Sequence, residues 1–397
     1  MKVIFLHPDL GLGGAERLIV DAAVEMQARG HEVMIFTSHH DRARAFAPTI
    51  DGTLDVRVRG GLLPLHVGQR FRAPSAIVRM AYLAATALHA EPHDVVVCDL
   101  VAHVIPIVRA MTRAPIIFYC HFPDQLLVPR HSRLYQLYRV PIDRLEQYGT
   151  GLADRVVVNS RFTALRFRDA FPALADRTPD VVYPGIALTV PPQLPVLDDV
   201  PFILSVSRFD PAKNLRLAIE AFAVLRRTLA PEAFGPLRLV LAGGYDQRRR
   251  EDRALVDALL ALARELEVDD RVTLVRSPSD RELQGLLSRA LCVVYTPEDE
   301  HFGLVPLEAM VARKPVVAVN RGGPAETIID GETGFLCPPE ASAFAGALAR
   351  FVAEPALART MGIAGRTRVE ATFTRTKFGE RFEALVREVV GAGRRVS

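Results

Sequence analysis

Short, continuous apolar runs alternate along this chain with longer amphipathic stretches, and the alternation passes through twice. Val3–Leu6, Val33–Thr37, Val95–Cys98, Ile116–Tyr119 and Val156–Asn159 form the first series. A Pro-rich stretch from Pro184 to Pro201 follows. The pattern restarts at Phe202–Val206, then Leu237–Ala242, Val272–Leu274, Cys292–Tyr295 and Pro315–Val319. Runs of this kind read as strands buried on both faces, with the stretches between them as covering helices. Each series therefore predicts a doubly wound α/β unit around a parallel sheet. A length of 397 residues is too great for one ordinary core and fits two domains of roughly 190 residues each. We read an N-terminal Rossmann-like domain at 1–185, a linker at 186–200, a C-terminal Rossmann-like domain at 201–374 and a last helix in 375–397. That helix could return to the first domain. Ligands of such sheets sit outside the carboxyl ends of the strands, which predicts a cleft between the domains.

Composition removes several function classes. A net charge of +3, with no basic tail or RNA-binding signature, argues against nucleic acid as a partner. Cys98, Cys120, Cys292 and Cys337 are widely spaced. They lack metal-ligand spacing and read as reduced core thiols in a cytoplasmic setting. Met1-Lys2 runs directly into the first apolar run, so no separate signal peptide is expected.

The candidate chemistry lies after the strands. Glu300-His301-Phe302-Gly303-Leu304-Val305-Pro306-Leu307-Glu308 follows the strand Cys292–Tyr295 and leads into an apolar run. Glu300 is expected in a loop and Glu308 near a helix start, where free N–H groups attract phosphate or hydroxyl-rich ligands. The alternative is a solvated helix start. Arg208 and Lys213 leave the end of the strand Phe202–Val206 and could clamp a diphosphate as fork and point charge, or merely flank a helix. Gly11-Leu12-Gly13-Gly14-Ala15-Glu16 follows the first strand, but Glu16 replaces the third glycine of a dinucleotide fingerprint. His121, in Tyr119-Cys120-His121-Phe122-Pro123-Asp124, stands at another strand end and would titrate near neutrality if unperturbed. Asp124 could orient it, accept a substrate hydroxyl or cap the next helix. Glu326, after Gly322-Gly323-Pro324, could bind a sugar or ribose hydroxyl or serve the helix dipole.

The spacing Glu-x7-Glu with its Phe-Gly-Leu-Val-Pro filling resembles the signature of retaining GT-B glycosyltransferases of family 4. Phe5-Leu6-His7-Pro8-Asp9-Leu10-Gly11, Phe118 to Asp124, Ala242-Gly243-Gly244-Tyr245-Asp246, Tyr295-Thr296-Pro297 and Thr333-Gly334-Phe335-Leu336-Cys337 narrow the resemblance. They are similar to the eukaryotic mannosyltransferases that add the second and third mannoses to the dolichol-diphosphate-linked N-glycan precursor. The Arg- and Ala-rich composition looks prokaryotic. The resemblance implies GDP-mannose as donor, retention of the alpha configuration and a polyprenyl- or dolichyl-diphosphate-linked oligosaccharide as acceptor. It assigns the diphosphate to Arg208 and Lys213, the ribose to Glu308 and the transferred sugar to Glu300. It adds His121 near that sugar, and Gly13, Gly14, Gly303, Leu304 and Val305 to donor binding. Arg276 and Ser277 stand where the base rests in this fold. No cofactor and no metal are expected, because there is no Asp-x-Asp spaced to hold one and the two cations can replace it. A nucleotide-sugar epimerase and a catalytically silent sugar-nucleotide or lipid-binding module remain the alternatives.

Between Val56 and Ala90 there is no acidic residue, while Arg57, Arg59, Arg70, Arg72 and Arg79 interleave with apolar residues. The uncharged run Met80–Leu88 is far below the ~20 residues that span a bilayer. A peripheral membrane contact is expected here, with Gly60–Arg79 as the mouth of an acceptor site. The alternative divides the segment into an Arg-rich loop and an ordinary buried helix.

Overall fold

A computed structural model describes residues 1–60, 72–128, 132–188 and 201–396. The linker segment 189–200 and the stretch 61–71, with Arg70, lie outside the described residues, as does most of the predicted acceptor mouth. The chain divides into two compact units, Met1–Gly185 with Arg375–Ser397, and Ile186–Thr374.

In the first unit the described strands are β1 (Lys2–His7), β2 (Glu32–Thr37), β3 (Asp55–Val58), β4 (Val95–Asp99), β5 (Ile116–Cys120), β6 (Arg155–Val158) and β7 (Asp180–Val181). They form one sheet in the order β3-β2-β1-β4-β5-β6-β7, with every neighbouring pair parallel. β1 shows why its sequence is uniformly apolar. Val3 and Phe5 enter the core on one face, Ile4 and Leu6 the core on the other, and all four are fully buried. The helix Arg72–Ala90 covers the second face with Met80, Leu83, Ala84 and Ala87. Met80, Leu83, Ala84, Ala87 and Leu88 of this run are thus core packing, while Tyr82 is exposed.

The second unit repeats the plan. β8 (Phe202–Val206), β9 (Arg238–Gly243), β10 (Val272–Arg276), β11 (Cys292–Tyr295), β12 (Val316–Val319) and β13 (Gly334–Cys337) lie in the order β10-β9-β8-β11-β12-β13, again all parallel. Leu239, Leu241, Val294, Val317 and Val319 face a core closed by Phe222, Phe344 and Phe351.

The sequence pattern misses β3, β7 and β13, and all three are edge strands. β3 and β7 have one neighbour and are only partly buried, so they need no continuous apolar run, β3 reading Asp-Val-Arg-Val; β13, Gly-Phe-Leu-Cys, is mostly buried but only four residues long.

The helix Arg375–Val396 packs on the helix Gly14–Ala28 and supplies Phe378, Phe382, Val386 and Val389 to the core containing Phe5. Phe382 stacks on Phe5 at 6.2 Å and on Phe378 at 6.0 Å. Arg375 meets Glu25 at 3.0 Å, and His31 meets Glu383 at 2.9 Å. Phe382→Ala should destabilise the protein by about 3–5 kcal/mol through the cavity it leaves. Chemical denaturation would show this as an earlier transition, and an unchanged transition would mean that the helix adds nothing to that core.

Candidate active site

Polar side chains gather where the parallel strands end. In the second unit the chain leaves β8 through Ser207 and Arg208, and Asp210 then caps a short turn by accepting the Ala212 N–H at 2.9 Å. Asn214 adopts a left-handed conformation, φ 46°, and the next helix, Leu215–Thr228, begins. This turn directs Lys213 onto Glu300, with Nζ 2.6 Å from Oε2. Tyr295, the last residue of β11, donates its hydroxyl to the same oxygen at 2.6 Å. Thr296 donates to the Lys213 carbonyl at 2.7 Å, fixing the turn from the other side.

The loop after β12 completes the arrangement. The Gly323 N–H donates to the Glu300 carbonyl at 2.8 Å. A Cβ on Gly323 would lie 2.1–2.3 Å from the Phe302 backbone, so only glycine fits. Gly303, with φ +82°, uses the left-handed freedom of glycine to start the helix Leu304–Val311.

Burial alone would raise the pKa of Glu300. The Lys213 charge and the hydrogen bonds from Lys213 and Tyr295 outweigh it and hold the carboxyl below its usual range. The stability Glu300 contributes is therefore present above its unfolded-state pKa and is lost as pH falls through the depressed folded value. Tyr295 is driven in the opposite direction, by burial first and by the Glu300 charge second.

The expected position of Glu308 needs correction. Glu308 is not at the helix start: it lies one turn inside Leu304–Val311, on the partly exposed face shared with Leu304 and Val305. The backbone around Gly303 forms the start instead. Arg208 and Lys213 do not stand as a ready pair. Lys213 is occupied by Glu300, whereas the Arg208 side chain is 69% exposed and only 3.7 Å from Asp210 at its nearest approach. Arg276 ends β10 and lies over the Tyr245 ring at 5.1 Å. Ser277 accepts from the Tyr245 N–H at 3.0 Å and donates to its carbonyl at 2.9 Å. Glu326 sits half-buried in the short helix Pro324–Thr327. Its carbonyl accepts from Arg368 at 2.8 Å.

In the first unit β1, β4 and β5 are adjacent, and their ends carry a buried cluster. His121 places Nε2 2.7 Å from Asp99 Oδ1, and His7 places Nδ1 2.6 Å from Asp99 Oδ2. His7 Nε2 lies 2.9 Å from the Asp9 carbonyl. The His7 and Asp99 side chains are fully buried; that of His121 is 12% exposed. Burial disfavours charge on both groups. On His7 the hydrogen bond and charge of Asp99 prevail and raise its pKa; on Asp99 the two histidines prevail and lower it.

Asp124 is therefore not the group that orients His121. It opens the short helix Asp124–Leu127, and its carboxylate is 2.5 Å from Arg139. Its N–H and that of Gln125 donate to Glu146, whose carboxyl burial raises to about 7. Sequence reading missed Asp99 and His7 because the two are 92 residues apart. Position at strand ends was the available signal. Gly13 precedes, and Gly14 begins, the helix Gly14–Ala28, with the Glu16 carboxylate folded back against Gly13.

Among the described residues no group of three or more His, Cys, Asp or Glu side chains is arranged to hold a metal ion, and no helix is long and apolar enough to cross a membrane.

Residues 12–190 match the family model described as Glycosyltransferase Family 4, and residues 189–368 match Glycosyl transferases group 1. The chain is 45% identical to alpha-1,3/1,6-mannosyltransferase ALG2 of Homo sapiens, over 98% of this chain and 96% of that protein. It is 38% identical to the protein of the same name from Dictyostelium discoideum, over 98% of each. Among solved structures, sucrose-phosphate synthase from Thermosynechococcus elongatus superposes with a TM-score of 0.79 at 24% identity, covering 98% of this chain and 99% of that one. Anabaena HepE in complex with UDP superposes with a TM-score of 0.73 at 22% identity, covering 98% and 100%. At these identities the structures speak to the fold, which is the GT-B class with two Rossmann-like lobes.

Gly323→Ala should cost on the order of 1–3 kcal/mol, because its methyl group meets backbone and not a flexible side chain. Thermal melting would measure the loss. An unchanged melting temperature would show that the loop can shift freely around Glu300.

Proposed function

The chain belongs to the alpha-1,3/1,6-mannosyltransferase family within glycosyltransferase family 4, and from that premise we propose that it transfers mannose from GDP-mannose to a lipid-diphosphate-linked oligosaccharide with retention of the alpha configuration. The observation that best supports this reading is the contact of Lys213 and Glu300 beside Tyr295 at the carboxyl ends of β8 and β11. A donor brings an anionic diphosphate and a hydroxyl-rich sugar. This site offers a cation for the first and a carboxylate for the second, held together by one turn.

In this reading Lys213 and the exposed Arg208 take the departing diphosphate, whose growing charge they stabilise. The Lys213–Glu300 pair keeps each charge compensated until the donor arrives, and the diphosphate then competes with Glu300 for Lys213. Glu300 holds hydroxyls of the transferred mannose. Glu308, with Leu304 and Val305, faces the ribose and phosphates; in the first unit Gly13 and Gly14 offer backbone N–H groups suited to an anion. Arg276 and Tyr245 provide a flat surface for the base, Glu326 binds a hydroxyl, and His121 acts at the transferred sugar. Asp124, tied to Arg139, supports the chain around His121. The acceptor hydroxyl attacks from the face the diphosphate leaves, and the departing phosphate takes its proton.

Purified protein incubated with labelled GDP- and UDP-sugars and a synthetic lipid-linked mannosyl chitobiose tests the reading. Arg208→Ala or Lys213→Ala should lower turnover by about 100-fold or more with the fold intact. Glu308→Gln should chiefly weaken donor binding, whereas Glu300→Gln should lower turnover as well. Near-normal transfer by a folded Lys213→Ala protein would reject the phosphate assignment. Conversion of the donor alone would favour an epimerase.

A lipid-linked acceptor also calls for peripheral contact with the cytoplasmic face of a membrane through the 56–90 region. Val78 and Tyr82 on the helix Arg72–Ala90 are 56% and 49% exposed, and Arg59 is exposed nearby in sequence. Arg57 is less suited to this role, being paired with Asp55 and Glu91, and Arg79 is buried. Changing Arg59, Val78 and Tyr82 together to Ser should reduce co-sedimentation with anionic vesicles. Equal binding by wild type and variant, or none by either, would remove this region from membrane contact.

A further inference from the structure

The buried cluster at the ends of β1, β4 and β5 does more than fill space. Asp99 shares its two carboxylate oxygens between His121, at 2.7 Å, and His7, at 2.6 Å. Both ring nitrogens of His7 face oxygen, the second being 2.9 Å from the Asp9 carbonyl. An imidazole that meets acceptors on both sides is satisfied only with two N–H groups, as a cation. Asp99 is acceptor-only when ionised, so the hydrogen on His121 resides on Nε2. The chain also pays a local backbone cost here: Leu100, directly after Asp99, has φ 60° and is neither glycine nor asparagine.

We propose that Asp99 and His7 are positioning residues for the transfer reaction. Asp99 fixes His121 in the Nε2–H form, which leaves Nδ1 as an acceptor for a hydroxyl of the transferred sugar, and the His7 cation keeps Asp99 ionised in a fully buried place. The inference rests on the reading that His121 acts at that sugar. An ionised carboxylate buried alone would be strongly disfavoured; paired through short charge-assisted hydrogen bonds it persists. The other titratable groups near it are Cys98 on its own strand and Tyr119 and Cys120 on β5, all kept neutral by burial. The Glu16 charge and the Asp9 carbonyl also favour charge on His7.

The test is a kinetic cycle on the full chain with His121→Ala, Asp99→Asn and the double variant, each checked for a cooperative thermal transition. Asp99→Asn should lower kcat by about tenfold or more while the donor KM changes by less than about threefold. Added to His121→Ala, it should change kcat by less than about twofold, because a residue acting through His121 has nothing left to act through. A wild-type kcat for Asp99→Asn, or a double variant whose loss is the product of the single losses, would overturn the proposal. If His121→Ala itself transfers at the wild-type rate, the reading of His121 fails and takes the inference with it. An impaired His121→Ala beside a normal Asp99→Asn rejects only the positioning role.

Should Asp99→Asn fail to fold, His7→Asn carries the test, since it keeps an N–H toward Asp99 while removing the cation and the bond to the Asp9 carbonyl. Without that cation the Asp99 pKa rises, so the acid limb of the kcat profile should move to higher pH. A limb that stays in place would overturn the proposal.

Discussion

Parallel pairing is the constraint from which the rest of this molecule follows. Two parallel neighbours cannot be joined by a tight hairpin, so each connection must run back over a face of the sheet. The returning segments bury both faces, and the strands become apolar on both sides, as Val3 to Leu6 show. Polar chemistry is left one place in each sheet, the edge where the carboxyl ends emerge. His7, Asp99 and His121 stand there in the first unit, and Lys213, Tyr295 and Glu300 in the second.

Both clusters solve the same electrostatic problem in the same way. A carboxylate at these strand ends must be held ionised where water is scarce. Glu300 is kept ionised by Lys213 and a tyrosine hydroxyl, Asp99 by two histidines. The pairs differ in access. Lys213 and Glu300 retain some exposure, whereas His7 and Asp99 are sealed. The first arrangement suits contact with substrate; the second suits holding a neighbouring ring.

The interior strands were legible in the sequence, with Phe202–Val206 and Cys292–Tyr295 matching to the residue. The edge strands Asp55–Val58 and Asp180–Val181 were not, because a strand with one neighbour carries too little apolar pattern to register. Three residues that motifs singled out, Glu300, Lys213 and His121, lie among the polar clusters at the strand ends. Their partners were harder. Asp124 stood near His121 in sequence and was one candidate to orient it, yet Asp99 reaches the ring from the adjacent strand. Glu308 was placed at a helix start because the apolar run after it suggested one, but Gly303 begins the helix earlier. Spacing along a chain reports neighbours within an element; it does not report which strand lies alongside.

The helix Arg375–Val396 sets an order on how this chain can be made. The chain leaves the first unit at Gly185 and rejoins it at Arg375. Phe378, Phe382 and Val386 therefore reach Phe5 only after the whole of the second unit has been synthesised. Domains usually fold as units while they emerge from the ribosome, the N-terminal one first. Here the second unit, being continuous, can close while the first still exposes the apolar surface of Phe5, Ile19 and Ala23. On the ribosome the nascent first unit waits longest for its own core, and that interval is when chaperones have the most to shield.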